Sequence, residues 1–151
     1  MSRHWMFFAA AVLIFSGCVD QRFLDAIGET QQADEHVVMD GPEALAWLKS
    51  NGNEAALASN RFLETENAVK YVEALYAAGA AKVVVPNDTI RDDEETVMGE
   101  GGPYADALVV TLPSDPELRK SVVDLCRAEL RREGFDSPDV AAAPQIYLWW
   151  D

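Results

Sequence analysis

Two amphipathic helix patterns, each set between short strand-like runs, limit this chain to a small number of folds. Thr65 can cap the first, which repeats Ala68, Val69, Val72, Leu75 and Tyr76 at helical spacing and stops at Gly79. The second starts at Ser114-Asp115-Pro116-Glu117, which has capping-box spacing and a proline in the first turn, and carries Leu118, Val122, Leu125, Cys126 and Leu130 before Gly134. Ala56 to Phe62 reads as a strand ahead of the first helix. Val83 to Val85 and Ala105 to Leu112 read as strands between the two, closed by Pro86 and Pro113, and Gln145 to Trp150 reads as a strand after the second. Strand, helix, strand, strand, helix, strand is the split βαβ unit. The expected fold class is therefore α+β, a ferredoxin-like βαββαβ two-layer sandwich with sheet order 4-1-3-2. An extra amino-terminal helix over about 41–50 precedes it, opened by Asp40, Pro42 and Glu43 and stopped by Asn51-Gly52. A doubly wound α/β sheet is the alternative, disfavoured because no helix separates the second and third strands.

Upstream of this unit, Arg3 precedes an unbroken apolar run of eleven residues, Trp5 to Phe15, and then Ser16-Gly17-Cys18. A bilayer-spanning helix needs roughly 20 apolar residues, so the run reads as the core of an export signal. The stretch Leu13-Ile14-Phe15-Ser16-Gly17-Cys18 resembles the lipobox of bacterial lipoproteins, with Phe15 standing where leucine is usual. The resemblance implies a diacylglycerol on the Cys18 thiol, cleavage before Cys18, and attachment to a membrane of the cell envelope. Val19 after the cysteine implies, by the same resemblance, the periplasmic face of the outer membrane. The expected organisation is a signal peptide at 1–17, an acylated tether at 18–36 and a single domain at 37–151. For about 18 residues a flexible tether reaches roughly 25 Å. Its one apolar group, Phe23, Leu24 and Ile27, either rests on the lipid or packs on the domain.

Charge narrows the function. The chain has 12 Lys plus Arg against 26 Asp plus Glu; without the signal, which carries Arg3 and no acid, 11 basic residues face 26 acidic ones, a net −15. Nucleic acid is excluded as a partner, because phosphate binding needs clustered positive charge. The lipid alone should provide membrane attachment, since anionic headgroups repel such a surface.

Few residues qualify for chemistry. The only histidines are His4 and His36, both ahead of the folded part, and Cys126 is the one cysteine besides Cys18. No metal site, cofactor site or Ser/His/Asp or Cys/His set can be assembled in the domain. The loop from Asn87 to Pro103 is acidic and glycine-rich, but its acids run consecutively rather than in the alternation of a calcium loop, so it reads as a solvated connection.

The carboxy-terminal strand is apolar on both faces: Ile146, Leu148 and Trp150 on one, Tyr147 and Trp149 on the other. Arg61 on the expected first strand would lie beside it, stacked on Trp149 or paired with Asp151. Arg61, Tyr147, Trp149 and Asp151 are thus the candidate binding surface, an aromatic and arginine platform. The plainer alternative is that these aromatics complete the core under the 41–50 helix. The expected function is a non-catalytic, membrane-tethered binding or assembly module with a protein partner. The alternatives are an immunity-type lipoprotein that neutralises a toxin, motivated by small size and acidity, and a carboxylate-based enzyme acting on the cell wall.

Overall fold

The computed structural model describes residues 39–135 and 138–150. The expected signal peptide, Cys18, the tether and Asp151 lie outside the described residues.

Glu43 opens the first helix. Its carboxylate accepts from the backbone N–H of Leu45 at 3.0 Å and of Ala46 at 2.7 Å, which caps α1 (Ala44–Ser50). Asp40, the expected cap, instead accepts from Lys82 Nζ at 3.1 Å. The remaining helices are α2 (Ser59–Phe62), α3 (Thr65–Ala77), α4 (Glu94–Glu100) and α5 (Pro116–Arg132), with 3-10 turns at Asn87–Thr89 and Pro138–Ala141. On α5 the cap is Asp115 rather than Ser114: Asp115 Oδ1 accepts from the N–H of Glu117 at 3.0 Å and of Leu118 at 2.9 Å, and Pro116 takes the first helical position. Thr65 does not cap α3. Its hydroxyl donates to the Asn53 carbonyl and accepts from the Ala56 N–H, both at 2.7 Å, and so ties the helix start to the preceding loop.

The strands are β1 (Lys82–Val84), β2 (Ala107–Thr111) and β3 (Gln145–Trp149), in one antiparallel sheet of order β1-β2-β3 among the described residues. The register pairs Val83 with Val110, and Leu108 with Leu148. The fold is therefore mixed α and β with a three-stranded sheet, and this corrects the expectation for 56–62. That segment makes one parallel bridge, Leu57 to Ala105, and then leaves the sheet. Ala58 takes a left-handed conformation (φ 40°) and turns the chain into α2, which ends at Leu63, also at positive φ (66°). With 56–62 withdrawn, β3 pairs directly with β2 along its whole length, in the place the expected order gave to the first strand.

The sheet's two faces differ. Val83, Leu108, Val110, Ile146 and Leu148 point into the main core, with Ala68, Val72 and Leu75 of α3 and Val122, Val123 and Cys126 of α5. Ala44 and Leu48 place α1 in that same core. The 41–50 helix therefore does not cover the face that carries Tyr147 and Trp149. Each fully buried Val or Leu contributes about 1.5–3 kcal/mol, so this one cluster is the main stabilising element of the unit.

Candidate functional site

The carboxy-terminal strand alternates as the sequence predicts, with Ile146, Leu148 and Trp150 buried and Tyr147 and Trp149 each 39% exposed. Beside these two aromatics runs an apolar groove of about 510 Å³, whose far wall is Leu130, Phe135, Val140 and Ala143. Among the described residues no charged side chain lines it.

Two local devices build that wall. At the end of α5, Gly134 adopts φ +82°, the Phe135 N–H donates to the Leu130 carbonyl at 2.8 Å, and the Gly134 N–H donates to the Arg131 carbonyl at 3.1 Å. This is a Schellman motif, which brings the residue after the glycine back onto the helix, here Phe135 beside Leu130. Phe135 stays 48% exposed all the same, because its outer side faces the groove. The returning segment is clamped by Arg119, which donates to the carbonyls of Ala141 (2.9 Å), Ala143 (2.6 Å) and Pro113 (3.2 Å). Three charge-assisted bonds from one planar guanidinium hold Val140 and Ala143 at a fixed distance from α5. The sequence reading missed Leu130, Phe135, Val140 and Ala143 as wall residues. The signal was there in the spacing Leu130, Gly134, Phe135, which places a large apolar side chain immediately after a helix stop.

Arg61 is not part of this surface, which corrects the expected platform. Its Nε and Nη2 donate to Glu129 Oε2 and Oε1, each at 2.7 Å, and its guanidinium carbon lies 4.8 Å from the Phe62 ring centroid. Glu129 is 5% exposed and also accepts from Trp150 Nε1 at 3.4 Å. Burial pushes the Glu129 carboxyl up, but the hydrogen bonds and charge of Arg61, with the Trp150 hydrogen bond and the Arg132 charge, outweigh it and hold the group below its ordinary range. Around this pair, Phe62, Tyr71 and Trp150 pack with ring centroids 5.2–6.3 Å apart. The Tyr71 hydroxyl is buried without a hydrogen-bond partner among the described residues. Burial, and secondarily the Glu129 charge, pushes the Cys126 thiol up to about 12, so it stays protonated at neutral pH. Thus Tyr147 and Trp149 share a surface, Arg61 belongs to the interior near Trp150, and Asp151 lies outside the described residues.

A second, polar hollow of about 680 Å³ is lined by Asn53, Ser59, Arg91, Glu100 and Tyr104 among others. Its one cation is engaged: Arg91 pairs with Asp106 at 3.1 Å and stacks on Tyr104 at 4.7 Å. Asn53 Nδ2 donates to Glu100 at 3.0 Å, so this hollow is held together by its own polar contacts. The loop 87–103 is also more ordered than a solvated connection. Asp93 caps α4 through both the N–H and the hydroxyl of Thr96, and Gly101 closes it at φ +82°. No group of three or more His, Cys, Asp or Glu is placed to hold a metal ion among the described residues. No helix among them is long and apolar enough to cross a membrane. Compared with family models, with curated proteins and with solved structures, the chain matches none.

Proposed function

We propose that the protein is a lipid-anchored binding module of the bacterial envelope, tethered through Cys18 on the periplasmic face of the outer membrane and holding a protein partner at the β3 groove. The observation that carries this reading is the apolar groove itself. In a chain of net charge −14, Phe135, Tyr147 and Trp149 stand half-exposed around one hollow whose described lining carries no charge. Large side chains collected at one concave place, not scattered singly, mark a contact surface. The address rests on the lipobox resemblance and the short apolar run of the sequence.

Each half has its own test. Metabolic labelling with an alkyne fatty acid should tag the wild-type chain and leave Cys18→Ala unlabelled and released from membranes; a labelled or membrane-bound Cys18→Ala chain removes the lipoprotein reading. Co-purification from detergent extracts should recover a stoichiometric protein that Trp149→Ala loses at unchanged melting temperature. Retention of that protein by Trp149→Ala removes the groove as its site. The immunity-type reading is the special case in which the bound protein is a toxin.

A further inference from the structure

The two edges of the sheet are treated differently. At β1 the chain covers its own edge: Glu43 bridges Val84, the Val85 N–H donates to the Pro42 carbonyl at 3.0 Å, and the Asn87 N–H donates to the Asp40 carbonyl at 3.3 Å. At β3 no described residue does so. The ladder to β2 runs through the even-numbered residues, since Leu112 N–H donates to Pro144 and Trp150 N–H to Asp106, each at 3.0 Å, and the register is continuous between them. In an antiparallel pair the alternate residues turn their N–H and C=O outward. Those residues are Gln145, Tyr147 and Trp149, so three donor–acceptor sets face away from the sheet along the groove. The strand, Gln-Ile-Tyr-Leu-Trp, has no lysine, proline or bulge, the usual means of blunting an edge.

Building on the groove reading above, we infer that the β3 edge takes up an extended segment of the partner protein as a fourth strand, one that alternates apolar side chains with Lys or Arg. The outward ladder calls for a backbone partner, which neither a small ligand nor a helix supplies. The alternation follows from the two sides of the edge. On the core side an added strand meets the Leu130 and Phe135 wall, which is apolar. On the other side it lies beside the part-exposed Tyr147 and Trp149 and then solvent, where a basic side chain meets the field of a strongly acidic chain. The chain's strong negative charge, at net −14, favours the same sign of partner and disfavours a second copy of itself. Five residues of strand extend about 17 Å, so a segment of five or six residues spans the site.

The test is selection of random peptides of about eight residues on the full-length, detergent-extracted chain in about 0.3 M salt, which screens loose charge pairing. Selected peptides should alternate apolar and basic residues. Backbone N-methylation at every second residue should weaken binding about tenfold or more in one register and hardly at all in the other, because only one set of amides faces the ladder. Phe135→Asp, on an exposed side chain, should weaken binding comparably without moving the melting temperature. Equal sensitivity in both registers, or none, overturns the added strand while leaving groove binding by side chains intact. Selection of no peptide overturns it, as does sedimentation showing a dimer that Trp149→Lys dissolves, which would make the occupant a second copy. The groove reading fails separately, if the partner recovered from cells is held equally by Phe135→Asp and Trp149→Ala.

Discussion

Replacing Arg61 with methionine should cost this protein about 2–4 kcal/mol at neutral pH, because removing one partner of a buried ion pair strands the other in a poorly solvated place. The structure says which partner is stranded worse. The Glu129 side chain is 7% exposed and that of Arg61 23%, so a lone carboxylate stays dry while a lone guanidinium reaches water. In Arg61→Met, Glu129 keeps only Trp150 Nε1 at 3.4 Å and Arg132 Nε at 3.8 Å. Glu129→Gln should therefore cost less, about 1–2 kcal/mol, and Arg61→Met with Glu129→Met together should come within about 1 kcal/mol of wild type. The pH dependence supplies a second check. In the wild type the folded pKa of Glu129 lies below its ordinary 4.5, so its contribution is full above 4.5 and is lost as pH falls through the folded value. In Arg61→Met burial is opposed only by the long Trp150 bond and the more distant Arg132 charge, so the folded pKa should rise above the unfolded one and that variant should lose stability as pH climbs. The gap between variant and wild type should accordingly shrink as pH falls towards 4. Urea unfolding followed by tryptophan fluorescence at several pH values measures both effects. A loss below about 1 kcal/mol, or one constant across pH, would show that the pair is solvated and the reasoning mistaken.

Leu63 is 72% exposed and sits at φ 66°, so Leu63→Gly removes backbone strain with little packing loss; it should raise stability by about 0.5–2 kcal/mol, read as a higher melting temperature. Arg119→Ala deletes three bonds to carbonyls and should lower stability by about 1–3 kcal/mol while abolishing peptide binding, measured by urea unfolding and calorimetry. In a Cys18→Ala background, Cys126 should not react with a disulfide reagent at pH 8 until urea unfolds the chain, given its burial and a thiol pushed up to about 12. Burial, and then the 2.6 Å bond to Glu43, pushes the Tyr76 phenol up to about 12, so ultraviolet titration should find it still protonated at pH 11.

What the sequence made legible was local, and what it hid depends on distant partners. Helical spacing and the punctuation of Gly79, Pro113, Pro116 and Gly134 located α3 and α5, and alternation assigned the faces of β3 residue by residue. The helix α4 was hidden because none of its seven residues is buried, so it has no apolar period; only its Asp93 cap and Gly101 stop announced it. Segment 56–62 looked like a strand because Ala56, Ala58, Phe62 and Leu57 are apolar. Ala, Ser and Asn are weak strand formers, however; the Ala58 carbonyl accepts from the Arg61 and Phe62 N–H groups and closes a helical turn, from which Arg61 reaches Glu129, 68 residues away. With Ser59–Phe62 in a helical turn, the place beside β2 belongs to β3. The outer edge of β3 is then left without a described partner, next to a wall set by Gly134 and Arg119. The candidate site thus lies where a segment expected in the sheet is absent from it. Its aromatics could be read from the sequence, but its open edge could not.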